Sequence, residues 1–312
     1  MRFLIMGAGA VGSLLGAQLH VAGHEVRFWV RPALRAPRKQ LVVQRVGGAP
    51  LQIETAFIGP GDVAPDSDWV LVCVRSEQLD AALAQVVREL GAARNVAISA
   101  VSFDNVLTRA RRHGLTGCVL AHGISFGVWR DASEPARFHW FPFATPSMLS
   151  AEGEPDSLRP ARELAAVLQQ AGSPTRVMLS ARAFTTWMVA VSAPLIAGWD
   201  VCGFVLERLA REPVQRRLTA RAIAESTRAL RLSGLWSLLT WVPAWAYALL
   251  LRALPWMIGR DGREVWLHHG PKIRDQTRHT LQIAMANAAE RGTPAPALRT
   301  LAERFEQHVS LQ

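Results

Sequence analysis

An α/β domain followed by an all-α domain is the fold class this sequence predicts, on three observations. A strand, a glycine-rich turn, a helix and a second strand follow one another within the first 30 residues. Apolar runs then continue to alternate with helically spaced segments to about residue 179. From about Ser180 the chain becomes almost continuously helix-forming, punctuated by proline and glycine. The domains read from this are 1–179 and 180–312, and 312 residues suffice for two domains of roughly 100–200 residues each.

The elements follow in order. Arg2–Met6 is a short apolar strand that stops at glycine. Val11–Ala22 has helical spacing, with Val11, Leu14, Leu15, Leu19 and Val21 available to face a sheet. Gly23 ends that helix, and Glu25–Val30 is the second strand, so the first 30 residues form a βαβ unit. Leu41–Val46 and Leu51–Ile58 flank Gly47-Gly48-Ala49-Pro50 as a hairpin. Trp69–Val74 is apolar throughout, as a strand covered on both faces must be. A helix over 78–90, a strand over 96–99, a helix over 105–113 and a strand over 118–122 follow. Residues 124–150 are rich in aromatics, glycine and proline and read as short strands and loops that close the sheet. A helix over 158–171 ends the domain.

Composition narrows the function classes. Half the residues are hydrophobic and 19% are charged, which supports a large core and disfavours disorder. Cys73, Cys118 and Cys202 are far apart, without metal-ligand spacing, and read as small apolar residues in a reducing compartment; no metal site is expected. His268 and His269 are adjacent, point in different directions on a helix, and do not read as ligands. Met1–Met6 reads as the first strand and not as a leader, so the cytoplasm is the expected location. The net charge of +10 is almost all arginine, since Lys39 and Lys272 are the lysines, and it is spread along the chain. A nucleic-acid protein would concentrate it on one recognisable module, so no nucleic-acid partner is expected. Leu235–Leu251 is apolar and rich in tryptophan, but it is short for a membrane span, contains Pro243 and meets Arg252. A buried or interface-lining helical pair is the preferred reading over a membrane contact; an apolar substrate pocket or a homodimer surface would suit it equally.

Gly7-Ala8-Gly9-Ala10-Val11-Gly12 fits the pattern G-x-G-x-x-G directly after an apolar strand and at the start of a helix. In that context Gly7 permits the tight turn, Gly9 lets backbone approach a pyrophosphate, and Gly12 allows close helix–strand packing. The helix N-terminus then offers N–H groups and a positive dipole end to phosphate. This is the signature of a Rossmann-type dinucleotide domain. The end of the second strand sets the choice of dinucleotide. Instead of Asp or Glu, the chain there reads Val30-Arg31-Pro32, with Arg35, Arg38 and Lys39 beyond. A carboxylate would repel a 2′-phosphate whereas a guanidinium pairs with it, so Arg31 points to NADP(H).

With these residues in place the chain resembles the ketopantoate reductase family. The stretch MGAGAVGSLLGAQLHVAGHEVRFWVRP reads like that family from first strand to phosphate-binding arginine. Val72-Cys73-Val74-Arg75-Ser76-Glu77-Gln78 resembles its strand-end pattern of a basic residue with Gln three positions later. Trp187 heads a segment like the family's W-K-L helix, and Ala288–Pro296 resembles its late helix-turn. The resemblance implies NADPH-dependent reduction of a 2-oxo acid to a 2-hydroxy acid, with a small-molecule carbonyl substrate. It implies cofactor contacts from Gly7, Ala8, Gly9, Ala10, Val11, Gly12, Arg31, Val74, Arg75, Gln78 and Ala100.

The chain departs from the family at the acid–base positions. Met188 stands where the family has its proton-donating lysine, and methionine has no proton to give. Ser192 replaces the next-turn asparagine, Ala100-Val101 an Asn-Gly, Gln276 (beside Asp275) a glutamate, and Arg75 a lysine. Ser192, Lys272 and Gln276 are the remaining candidates for catalytic work, Lys272 being the sole alternative lysine. The expectation is an NADPH-dependent oxidoreductase acting on a 2-oxo acid or a more apolar carbonyl. A non-catalytic NADP(H)-binding sensor or interaction protein is the alternative.

Overall fold

The computed structural model describes the chain except residues 61, 63–65, 100–105, 132, 144, 181, 231–233 and 312. It describes no side chains for 182–185, 234–236, 257–265, 268, 269 and 272. The chain divides into two compact units, Met1–Arg182 and Ala183–Gln312.

The first unit begins with β1 (Arg2–Met6), α1 (Ala10–Val21), β2 (Glu25–Trp29), β3 (Ala36–Arg45) and β4 (Pro50–Ile58). It continues with β5 (Trp69–Val72), α2 (Leu79–Leu90), β6 (Val96–Ile98), α3 (Val106–Arg112) and β7 (Val119–Gly123). It ends with β8 (Phe126–Arg130), β9 (Arg137–Pro142), β10 (Ser147–Ser150), α4 (Leu158–Gln170) and β11 (Thr175–Met178). Among the described residues these strands form one sheet in the order β11-β10-β7-β6-β5-β1-β2-β4-β3-β9-β8. Its centre, β7-β6-β5-β1-β2-β4, is parallel throughout. The chain runs outward from β1 to β2 and β4, then restarts at β5 on the other side of β1 and runs outward again. In open α/β sheets, ligands bind beyond the strands' carboxyl ends where the order reverses, here between β1 and β5.

Strand composition explains why these two strands are central. Alternate side chains leave opposite faces of a strand, and here both faces are covered. Phe3, Ile5 and Leu71 pack in one layer with Leu14, Leu15 and Leu19 of α1. Leu4, Met6, Val70 and Val72 pack in the other with Leu79, Leu83 and Val86 of α2. Burying each such side chain contributes about 1.5–3 kcal/mol. Val21, expected to face the sheet, is instead 57% exposed. It is the last residue of α1, and Gly23 turns the chain into β2 before Val21 can meet a strand.

The hairpin exists, but β3 starts at Ala36, so Arg38 and Lys39 lie within a strand. Residues 124–150 do not simply close the sheet. The antiparallel pair β8–β9 extends the edge beside β3, with β9 parallel to it. β10 pairs with β7 on the opposite side, and β11, for which the sequence offers no clear signal, lies parallel outside it.

The second unit contains α5 (Arg182–Val201), α6 (Leu206–Arg211), α7 (Pro213–Arg228), α8 (Ala244–His269), α9 (Arg274–Glu290) and α10 (Pro296–Ser310). Trp199, Phe204, Leu209, Ile223, Tyr247 and Leu251 form one apolar cluster; Ala197, Leu281, Leu298 and Phe305 belong to another. Asp200 of α5 is fully buried and receives Arg274 of α9 through two hydrogen bonds, Nε to Oδ2 at 2.7 Å and Nη2 to Oδ1 at 2.8 Å. His308 Nε2 of α10 stands 3.6 Å from the same carboxylate.

The tryptophan-rich segment forms two helical pieces, and only part of its described apolar surface is buried. Pro243 caps α8 and separates it from a short 3-10 helix at Gly234–Trp241. Tyr247 and Leu251 are buried, yet Leu238, Trp241, Trp245, Leu249 and Trp256 are exposed. Among the described residues no helix is long and apolar enough to cross a membrane.

Candidate functional site

The turn after β1 is fixed by its surroundings. Gly7 has φ +104, a conformation that L side chains rarely adopt, and its N–H donates to Trp29 O at 3.2 Å. A Cβ on Gly7 would run into Cys73 O and press on Val74 Cγ1; a Cβ on Gly12 would run into Gly7 O. These two glycines are therefore demanded by the chain's own packing. Gly9 is different: its backbone is ordinary extended (φ −77, ψ −173), and a Cβ there would meet nothing within 4 Å. Its missing side chain keeps the turn's outer face open.

That open face leads to the start of α1. The helix's Ser13 N–H donates to Gly9 O at 2.9 Å, so the N–H groups of Ala10, Val11 and Gly12 precede the intrahelical ladder. The first turn carries no acidic residue and no side-chain cap. Donors of this kind, with the positive end of the helix dipole, suit a phosphate. The turn fits the diphosphate of a dinucleotide.

Arg31 follows β2, which lies beside β1. It is exposed and forms no ion pair among the described residues. The nearby cations are engaged elsewhere. Arg35 Nε stands 3.6 Å from Asp62 Oδ2, Arg38 Nε 3.5 Å from Glu54 Oε1, and Lys39 Nζ 5.2 Å from the centroid of the Phe57 ring. Arg31 is the member of this basic group left free to meet an anion.

Beyond β5, Val74 is half-buried against Gly7. Arg75 is exposed, with Nη1 3.4 Å from Glu77 Oε1. Gln78 caps α2 and donates its N–H to Arg75 O at 2.9 Å. Ala100 lies outside the described residues. The structure thus gathers Gly7–Gly12 and Val74 around one turn at the end of β1, and sets Arg31 at the end of the neighbouring strand.

In the second unit, Met188 and Ser192 lie on α5. Met188 is 41% exposed. Ser192 is half-buried, and its hydroxyl donates to Val189 O at 3.2 Å, a bond internal to its own helix. Gln276 is exposed on α9 beside Asp275, whose Oδ1 accepts from Arg278 at 2.7 Å. Lys272 lies in a 3-10 turn at Gly270–Ile273, and its side chain is outside the described residues. Among the described residues no hydrogen bond joins Ser192 to Gln276.

Two features near the turn have no clear signature in the sequence. One is a group of three buried side chains, Cys73, Ser99 and His122, at the ends of adjacent parallel strands: Ser99 Oγ lies 2.7 Å from His122 Nδ1. Burial pushes the His122 imidazole down to about 4 and the Cys73 thiol up to about 12. At neutral pH both groups are uncharged. The other is Arg130, at the end of β8, whose Nη2 donates to Ala8 O at 3.5 Å.

The strand order and the glycine turn define a Rossmann-type α/β unit, here followed by a helical unit. Residues 3–106 match the family described as Ketopantoate reductase PanE/ApbA. A 2-dehydropantoate 2-reductase of Vibrio cholerae serotype O1 is 32% identical over 90 residues. That match covers 29% of this chain and 28% of the relative, little more than a quarter of its length. In fold, the likeness extends over both units. D-mandelate dehydrogenase in complex with NADH superposes with a TM-score of 0.72 at 13% identity, over 100% of this chain and 99% of that one. The 2-dehydropantoate 2-reductase of Geobacter metallireducens GS-15 gives 0.68 at 18% identity, over 98% and 99%. The chain is similar to the ketopantoate reductase family over residues 3–106 and shares the fold of these solved structures along its whole length.

Proposed function

We propose that the protein is an NADP(H)-dependent oxidoreductase that reduces a carbonyl, a 2-oxo acid or a bulkier and more apolar relative, to the alcohol. The observation that carries this reading is Arg31: an exposed guanidinium without a carboxylate partner among the described residues, next to the strand that precedes the ribose-binding position of the fold. Gly9 and the α1 N-terminus support the diphosphate contact, and Val74, Arg75, Gln78 and Ala100 are proposed to line the same cofactor. The match of residues 3–106 supports the reaction class.

Bound NADPH supplies the hydride. The protein must supply a proton to the developing alkoxide and a group to orient the substrate. Met188 can do neither. Ser192 can donate only by leaving the Val189 carbonyl, and Gln276 can orient a substrate by hydrogen bonding but holds no transferable proton at neutral pH. Lys272 is therefore the proposed proton donor.

NADPH oxidation, followed by absorbance with ketopantoate and a panel of larger 2-oxo acids, tests the assignment. Turnover with at least one of them is expected, and Lys272→Ala should slow it by about 10²–10⁴-fold. Tight NADPH binding without oxidation by any carbonyl would contradict the enzyme reading and leave a non-catalytic NADP(H)-binding protein.

A further inference from the structure

The β8–β9 hairpin brings a cation to the glycine turn. Arg130 is the last residue of β8 and pairs in register with Phe138 of β9. Its guanidinium carbon stands 5.3 Å from the centroid of the Phe138 ring, and its Nη2 donates to Ala8 O at 3.5 Å. Ala8 lies between Gly7 and Gly9, immediately before the positive end of α1.

Electrostatically this is an unfavourable place for an arginine. The start of a helix carries partial positive charge, and a cation there is disfavoured unless an anion joins it. No such anion comes from the first turn of α1, which has no acidic residue. Nor does it come from the adjacent acid. Asp131 accepts from Ser133 N–H and Oγ at 2.8 and 2.7 Å, from Glu134 N–H at 3.1 Å, and stands 2.8 Å from His139 Nε2. The next acid, Glu134, is taken by Arg137 at 2.9 Å. Arg130 therefore forms no ion pair among the described residues, although carboxylates stand close by in sequence. Phe138 and Ala8 hold it beside donors that also seek an anion.

Resting on the dinucleotide reading above, we propose that Arg130 is a diphosphate-binding residue, completing with the α1 N-terminus a site for the pyrophosphate of the cofactor. Its role differs from that of Arg31. The 2′-phosphate met by Arg31 exists only in NADP(H), whereas the pyrophosphate exists in both dinucleotides. A guanidinium suits this task because its planar fork can give two parallel bonds to one phosphate.

Binding titrations with NADPH, NADH and adenosine 2′-monophosphate, which lacks the diphosphate, test the assignment. Arg130→Gln should weaken NADPH and NADH by a similar factor, about ten- to a hundredfold, and leave adenosine 2′-monophosphate unchanged. Arg130→Lys, which keeps the charge and the fold but not the fork, should fall between. Arg31→Ala should show the opposite pattern, weakening NADPH and adenosine 2′-monophosphate but not NADH. Unchanged dinucleotide binding in both Arg130 variants would overturn the proposal and leave the cofactor reading standing. Equal loss of all three ligands would also overturn it, as a structural effect. Absence of dinucleotide binding by the unsubstituted protein would remove both.

Discussion

Ser99 Oγ and His122 Nδ1 stand 2.7 Å apart across two neighbouring parallel strands, and both side chains are buried. Among the described residues His122 Nε2 has no hydrogen-bond partner. A charged imidazole has no place there, and burial lowers its pKa from 6.5 to about 4.

That shift sets a pH dependence. Between about 6.5 and about 4 the unfolded chain binds a proton at His122 that the folded chain refuses, so folding weakens as pH falls through this window. The contribution is complete above about 6.5 and amounts to about 3 kcal/mol at most. Urea unfolding measured from pH 8 to 4 should show it, and His122→Leu should lose that component of the slope. An identical pH dependence in the variant would contradict the account.

The two kinds of glycine in the turn should separate stability from binding. Gly12→Ala pushes a methyl into Gly7 O, with little room for relaxation, and should destabilise the fold by about 1–3 kcal/mol. Gly9→Ala meets no protein atom and should change stability by less than about 1 kcal/mol, while dinucleotide affinity falls at least about tenfold. Paired denaturation and binding curves check this; a Gly9→Ala protein that binds normally would show that nothing approaches the turn.

Much of the first unit's centre was legible in the first 31 residues, because a βαβ unit and its glycine turn are local: apolar runs, glycine positions and the strand-end Arg31 all lie within one short stretch. The hairpin at Gly47-Gly48 was legible for the same reason. Arg130 and His122 were not, since what matters about them is their neighbours. Arg130 meets Ala8 across 122 residues and His122 meets Ser99 across 23, contacts fixed by strand order and not by spacing. The segment 235–251 was legible only in part: its composition left burial and an interface-lining face both open, and in the single chain Tyr247 and Leu251 are buried whereas Trp241 and Trp245 are exposed. The catalytic candidates remain the least legible, because Ser192, Lys272 and Gln276 were nominated by what the family's positions have lost.

The Asp200–Arg274 pair should behave as a buried ion pair whose halves depend on each other. Asp200→Ala removes the buried carboxylate from a guanidinium that is only 17% exposed, and should cost about 3–5 kcal/mol. Replacing both, Asp200→Leu with Arg274→Met, should recover most of that loss. Chemical unfolding of the three proteins tests it, and a single substitution costing under about 1 kcal/mol would show that water reaches the site.

Cofactor choice tests the central claim most directly. NADPH and NADH should be titrated in parallel against the unsubstituted protein and Arg31→Ala. The unsubstituted protein should bind NADPH more tightly than NADH, and Arg31→Ala should weaken NADPH about ten- to a hundredfold, as expected for losing a charge-assisted phosphate contact, while NADH changes less than about twofold. Equal affinity for the two dinucleotides, or equal losses in the variant, would contradict the assignment of Arg31 to the 2′-phosphate and with it the NADP(H) reading of the protein.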